Sequence, residues 1–222
     1  MKIMTRDELV SELAKGTAEF VDVSFHHEDL RGVTIKGATF RHCDFTDAKL
    51  NGTTIRDTLF LGCVLRGVTM WEANLTGVTF NDVDFTNLNV EDSLFKAVTF
   101  HRCAFTLAFF YHTKLLLRRV TSCTFMGTDI LKCTLSMSEM LRTTFTGIVG
   151  LKVYSVGPVG TFDGNVTYFP TLHKVFAGCW QGDEEEFFAK CERVQETRPL
   201  IDLNLELATN MVKTIMEKEE TL

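Results

Sequence analysis

From Phe20 to Phe145 every fifth residue is large and apolar. The series opens Phe20, Phe25, Leu30, Ile35 and Phe40, and closes Phe125, Ile130, Leu135, Met140 and Phe145, 26 consecutive positions in all. Two places before most of these stands a smaller residue, such as Val23, Ala38, Cys43, Ala48, Thr53, Cys63, Ala73, Cys103, Ala108, Cys123 or Cys133. The positions between are mostly Thr, Asp, Asn, Arg, Lys and Gly. A period of five fits neither the 3.6 of an amphipathic helix nor the 2.0 of a half-buried strand. It fits a chain that turns about a quarter circle per five residues, with one large and one small side chain pointing inward on each side of a square. Twenty residues then close a coil, and coils stacked at strand spacing, ~4.8 Å, make a rod about 31 Å tall. The second inward residue must be small because four large central side chains already fill each layer.

The units Cys43-Asp44-Phe45-Thr46-Asp47, Ala73-Asn74-Leu75-Thr76-Gly77 and Val83-Asp84-Phe85-Thr86-Asn87 resemble the A-[DN]-[LF]-x-x consensus of the pentapeptide-repeat family. The resemblance implies a mainly β fold, the right-handed quadrilateral β-helix. A solenoid must cover its open ends. Thr5-Arg6-Asp7-Glu8 reads as a capping box opening a short helix that ends near Gly16 and lids the first coil. The expected organisation is therefore an N-terminal cap over 1–17, a repeat β-helix over 18–149 and a small C-terminal α+β domain over 150–222.

Beyond Leu151 the beat of five stops. A strand is expected over Lys152–Val156, followed by a turn at Gly157-Pro158-Val159-Gly160. A second strand or hairpin covers Asn165–Ala177, broken by Pro170. A helix N-capped by Asp183 should bury Phe187, Phe188, Cys191 and Val194, with Glu184, Glu185 and Glu186 at its positive end. A last helix should run from about Pro199 to Glu219, with Leu200, Leu203, Leu207, Met211 and Ile215 on one stripe. Through Tyr154, Gly157, Gly160, Gly178, Cys179, Trp180, Gly182 and Phe187 this segment is similar to a C-terminal module of bacteriophage and prophage proteins. That module often has a histidine where this chain has Glu196-Thr197-Arg198.

Composition narrows the function. The chain has 222 residues, 45% hydrophobic and 23% charged, with a formal net charge of −6. Residues 20–149 hold 13 acidic and 13 basic side chains, while residues 150–222 hold 12 and 7. No basic footprint for nucleic acid exists, so no direct nucleic-acid binding is expected. Met1 to Gly16 carries scattered charges and no apolar run, so neither a signal peptide nor a membrane span is expected. The expected location is cytoplasmic, with reduced thiols and without glycosylation at the N-x-T triplets of Asn51, Asn74 and Asn165.

Catalytic chemistry is thinly represented. Five of the seven cysteines (Cys43, Cys63, Cys103, Cys123, Cys133) fall in the small inward column and read as core filler. No C-x-x-C pair or zinc spacing occurs. The histidines at 26, 27, 42, 101 and 112 project outward on different sides, and Gly157, Gly160 and Gly164 do not make a phosphate cradle. Cys179 with His173 is the one imaginable nucleophile–base pair, and it has no third group to orient it. No enzyme activity, cofactor or metal is expected.

The irregular stretch Leu107–Arg119 stands out. Arg118 falls in the small inward column, where an unpaired charge is costly, so a local bulge or a buried ion pair is expected there. Leu107, Phe109, Tyr111, Leu116 and Leu117 occupy outward positions. Stacking by twenty sets Leu131 and Met137 one coil further on and Trp71 two coils back, which makes an apolar patch on the wall. The C-terminal domain, a second copy of the chain or another protein could each cover it.

The leading expectation is a non-enzymatic interaction protein, phage-encoded, that binds and modulates a bacterial protein in the host cytoplasm. The family resemblance implies a DNA gyrase-type enzyme as the partner, and a host-defence component is the other partner class considered. Candidate contact residues are Trp71, Phe109, Tyr111, Leu116 and Leu117, with the acids Asp82, Asp84, Glu91 and Asp92. Gyrase-directed relatives pair an acidic, DNA-like rod with a C-terminal dimerisation helix. Here the repeat body is electrically balanced and the tail is larger than one helix. The alternative is a structural or virion-assembly component that uses the rod as a spacer.

Overall fold

The structure, a computed structural model, describes residues 1–159, 162, 164–197 and 203–219. Its repeat body is the expected right-handed, four-sided β-helix. Residue i pairs in parallel with residue i + 20, so the first face stacks Phe20, Phe40, Phe60, Phe80, Phe100, Val120 and Met140. The second face is centred on Phe25 and its successors by twenty, the third on Leu30 and the fourth on Ile35. All these central residues are buried except Leu135 and Phe145, which are half-buried near the last coil.

Aromatic stacking gives the core its order. On the second face Phe85, Phe105, Phe125 and Phe145 lie nearly parallel at 4.8, 4.5 and 4.9 Å. Edge-to-face contacts cross to the first face, as between Phe80 and Phe85 at 5.0 Å, both arrangements favoured by the ring quadrupole. Polar members of the small inward column hydrogen-bond to carbonyls in place of water. Thr53 donates to Leu50 O at 2.7 Å and Ser93 to Met70 O at 2.7 Å, so their burial leaves no hydroxyl unsatisfied.

The corners explain the polar residues of the repeat. At every fifth position from Asp22 to Gly147, except 117 and 137, the backbone has positive φ. Gly, Asp, Asn and His tolerate that region best, and they hold most of the corners. At 117 and 137 the chain instead runs straight through continuous strands, Lys114–Thr121 and Thr134–Leu141. The register shifts there, so that Val98, Leu117 and Met137 stand in line. Leu117 and Met137 are buried and Arg118 is exposed. The bulge alternative at Arg118 is the one realised. Leu117 and Met137 were expected outside and lie inside, because skipping the left-handed corner moves the inward slot back by one residue.

Both ends are covered. Lys2–Ile3 pairs with Val23–Ser24, and α1 (Arg6–Ala14) follows, its capping box closed by Thr5 and Glu8. Leu9 of α1 is fully buried in the solenoid core. At the other end an antiparallel sheet of Tyr154–Val159, Gly164–Phe169, Lys174–Ala177 and Trp180–Gly182 packs with α2 (Glu184–Thr197) and α3 (Leu203–Glu219). Phe169 and Phe176 of this sheet join the solenoid core, Phe169 meeting Phe145 edge to face at 5.4 Å. Gln181 Nε2 donates to Ser138 O at 2.6 Å.

Three details of the C-terminal region differ from expectation. Gly157 and Pro158 lie within a strand whose register breaks there, where a turn was expected. Trp180–Gly182 is a strand rather than a lead-in, because it pairs with Lys174–Ala177 across a tight turn. The buried stripe of α3 is Leu205, Ala208, Val212 and Ile215, and Leu207 is exposed. Small Ala208 lets the helix sit close on the sheet, which rotates the stripe away from Leu207. The Asp183 N-cap is present, with Glu186 N–H donating to Asp183 Oδ1 at 2.8 Å. Gly160, Arg198, Pro199 and Leu200 lie outside the described residues.

Candidate functional site

The third face carries the aromatic residues of the wall. Its strands Thr69–Trp71, Asn89–Glu91, Phe109–Tyr111 and Asp129–Leu131 pair in register. Trp71, Glu91, Tyr111 and Leu131 therefore form one outward ladder, beside Thr69, Asn89, Phe109 and Asp129. Trp71 is 44% exposed, and its indole N–H donates to Asn89 Oδ1 at 3.3 Å. Phe109 and Tyr111 are half-exposed, with parallel rings 6.3 Å apart. Lys132 donates to the Tyr111 hydroxyl at 3.1 Å and holds its ammonium 5.3 Å from the ring centre.

Leu107, at the corner leading into this face, is 60% exposed. Its φ of 54° places a bulky side chain in the left-handed region, a strained choice of the kind that concentrates at functional positions. Met126 and Val149 are also exposed nearby. The C-terminal region caps the end of the rod, so docking of that region on this wall is not what the fold does.

The acidic candidates divide. Glu91 sits within the aromatic ladder, and Asp92 lies at the adjoining corner, paired with His112. Asp82 lies at the corner between the first and second faces, bonded to Arg102. Asp84 is on the second face, bonded to Arg66 at 2.5 Å and accepting from both the backbone and hydroxyl of Thr86. Burial works to raise Asp84, and the hydrogen bonds from Thr86 and Arg66 outweigh it, leaving the carboxyl below its usual range. Leu116 is half-buried on the fourth face, and Leu117 is inside. The structure thus unites Trp71, Glu91, Asp92, Phe109 and Tyr111, and separates Asp82, Asp84, Leu116 and Leu117 from them.

Sequence reasoning passed over Asn89 and Lys132, the two side chains that orient Trp71 and Tyr111. Stacking by twenty could have found both, since Asn89 neighbours Thr69 and Phe109 in register and Lys132 follows Leu131.

Elsewhere most of the thiols are buried. Its neighbour Cys43 and burial hold the Cys63 thiol above its ordinary value, and burial does the same to Cys103. Cys179 is exposed on a turn. The strand Lys174–Ala177 runs between His173 and Cys179. His173 hydrogen-bonds instead to Glu184 Oε1 at 3.1 Å, which also accepts from the Tyr168 hydroxyl at 2.8 Å. Among the described residues no group of three metal-ligating side chains forms, and no helix is long and apolar enough to cross a membrane.

The fold and its sites define a capped, four-sided β-solenoid with an aromatic outer face. Residues 33–110 match the family model of the pentapeptide repeat region, and the four-sided β-helix that contains them is the fold of that family. No curated protein matches the chain. Similar solved structures include QnrB1, a plasmid-mediated fluoroquinolone resistance protein, at 16% identity over 60% of this chain and 70% of that one, with a TM-score of 0.29. HetL, involved in heterocyst differentiation regulation in the cyanobacterium Nostoc, is 13% identical over 66% of this chain and 92% of that one, with a TM-score of 0.27. Rfr23 from the cyanobacterium Cyanothece is 11% identical over 56% and 88%, with a TM-score of 0.26. Likenesses this distant say nothing of this chain's partner.

Proposed function

We propose that this chain is a non-enzymatic binding protein whose third face engages another protein. One observation carries the reading. Trp71 is exposed and Phe109 and Tyr111 are half-exposed on a wall that also presents Leu107 and Leu131, while the C-terminal region that could have covered them packs on the rod's end. Aromatic residues held at low conformational freedom are the usual anchors of protein interfaces.

The resemblance of the tail to a phage module adds a phage-encoded origin to the proposal, with a bacterial host protein as the partner and the host cytoplasm as the place. The partner classes are a gyrase-type enzyme and a host-defence component. Wholesale mimicry of DNA is the weaker route to either, because Glu19, Asp29, Asp82, Asp84 and Glu139 each pair with an arginine.

The test is affinity capture from bacterial lysate with wild type, Trp71→Ala/Tyr111→Ala and an Asp84→Asn control on another face. The proposal expects a stoichiometric partner with wild type and the control, lost with the double variant. Equal capture by all three would move the interface off the third face, and none by any would move the assignment to the structural spacer. A second copy of the chain as the captured species would make the third face a homodimer interface.

A further inference from the structure

We infer that the third face receives a cationic side chain, an arginine, from its partner, seated between Trp71 and Tyr111 over Glu91. This rests on the proposal that the face is a protein-binding surface, and it names the chemistry of what binds there.

The register supplies the geometry. Trp71, Glu91 and Tyr111 are successive rungs of one parallel ladder, so the two aromatic positions lie about two strand spacings apart, roughly 9.6 Å. A cation over the middle rung is then flanked by an aromatic residue on each side, one strand spacing away, roughly 4.8 Å, and aromatic faces attract cations. The middle rung is a carboxylate. Glu91 has no cation within ion-pair reach among the described residues, and the same holds for Glu72 and Asp129 beside it.

On other faces and corners Asp82, Asp84, Glu19 and Glu139 each hold an arginine of the chain itself, and Asp29, lower on the third face, holds Arg31. The ladder also takes a cation already, since Lys132 lies over the Tyr111 ring from the coil above. The equivalent seat over Glu91 is left to a partner. Arginine fits better than lysine because a planar guanidinium stacks on rings and can meet a carboxylate with two parallel hydrogen bonds.

The test uses the full chain and the peptide acetyl-Gly-Arg-Gly-amide, with the citrulline peptide as its uncharged isostere. The chain has two tryptophans, so the indole N–H signals of Trp71 and Trp180 report binding on and off the face. The expected result is a saturable shift of the Trp71 signal alone by the arginine peptide, with affinity on the order of 1–10 mM. Citrulline should give no saturable shift, and Glu91→Gln should weaken arginine binding about tenfold. Equal shifts with citrulline, no loss in Glu91→Gln, or no shift at about 50 mM peptide would overturn the inference. If capture of a protein still depends on Trp71 and Tyr111 in that case, the binding face stands and only the cation seat falls. If capture is also indifferent to them, both fall.

Discussion

Leu107 lies directly against Gly127, one coil above it: a Cβ added to Gly127 would meet Leu107 Cδ2 at 2.9 Å. The corner column that contains them runs His27, Asp47, Gly67, Asn87, Leu107, Gly127 and Gly147, and Leu107 alone in it is bulky and apolar. The leucine is strained by its positive φ and exposed as well, so it costs the fold twice. Replacing it with asparagine should raise stability by about 1 kcal/mol, since a left-handed conformation costs ordinary residues ~1–2 kcal/mol. The same Leu107→Asn variant should capture less partner. Chemical denaturation read beside capture checks the pair of outcomes, and a variant that loses stability would contradict the strain argument.

The skipped corner at Leu117 makes two adjacent residues behave oppositely. Leu117→Ala should destabilise the protein by about 2–5 kcal/mol, as truncation of a buried leucine does. Arg118→Ala, exposed on the bulge, should stay within about 0.5 kcal/mol of wild type. Denaturant midpoints distinguish this from a strict five-residue beat, which would make Arg118 the sensitive site.

Cys179 is the exposed thiol in a set otherwise buried or half-buried. Brief treatment of the native protein with N-ethylmaleimide should label Cys179 first and leave Cys43, Cys63, Cys103, Cys123 and Cys191 unmodified until denaturant is added. Mass spectrometry of the digested protein reads this directly. Fast labelling at Cys63 or Cys103 would mean that the stacked core opens on the timescale of the reaction.

Asp84 ties acid stability to one side chain. Its folded-state pKa lies below its ordinary value, so the unfolded chain takes up the proton first as pH falls. Its contribution is fully present above about pH 4–5 and lost as pH drops through the folded value. Asp84→Asn should therefore be less stable than wild type at pH 6, and the difference should narrow toward pH 3. A difference that widens on acidification would reverse the sign.

The fold was legible because the coil is an exact multiple of the repeat. Twenty residues hold four units of five, so each inward position recurs in sequence as it does in space, from Phe20 to Phe145. The beat misplaces Leu117 and Met137 because it assumes a left-handed corner in every unit. A warning was present in Arg118, a charge in the inward column, and in apolar residues at two stacked corners. In α3 the leucine spacing pointed to Leu207, whereas the packing chose Ala208 and Val212, since a small side chain brings the helix onto the sheet. At the candidate site Trp71, Phe109 and Tyr111 could be aligned by adding twenty. Asp82 and Asp84 could not be excluded that way, because which arginine each would bond depends on side-chain reach across coils.

The binding face is tested most directly by photo-crosslinking from a benzophenone amino acid placed at position 109, beside Tyr111, and separately at position 79 on the first face. If the third face is the interface, position 109 captures a defined protein and position 79 does not. The same product from both positions, or none from position 109 alongside one from position 79, would contradict it.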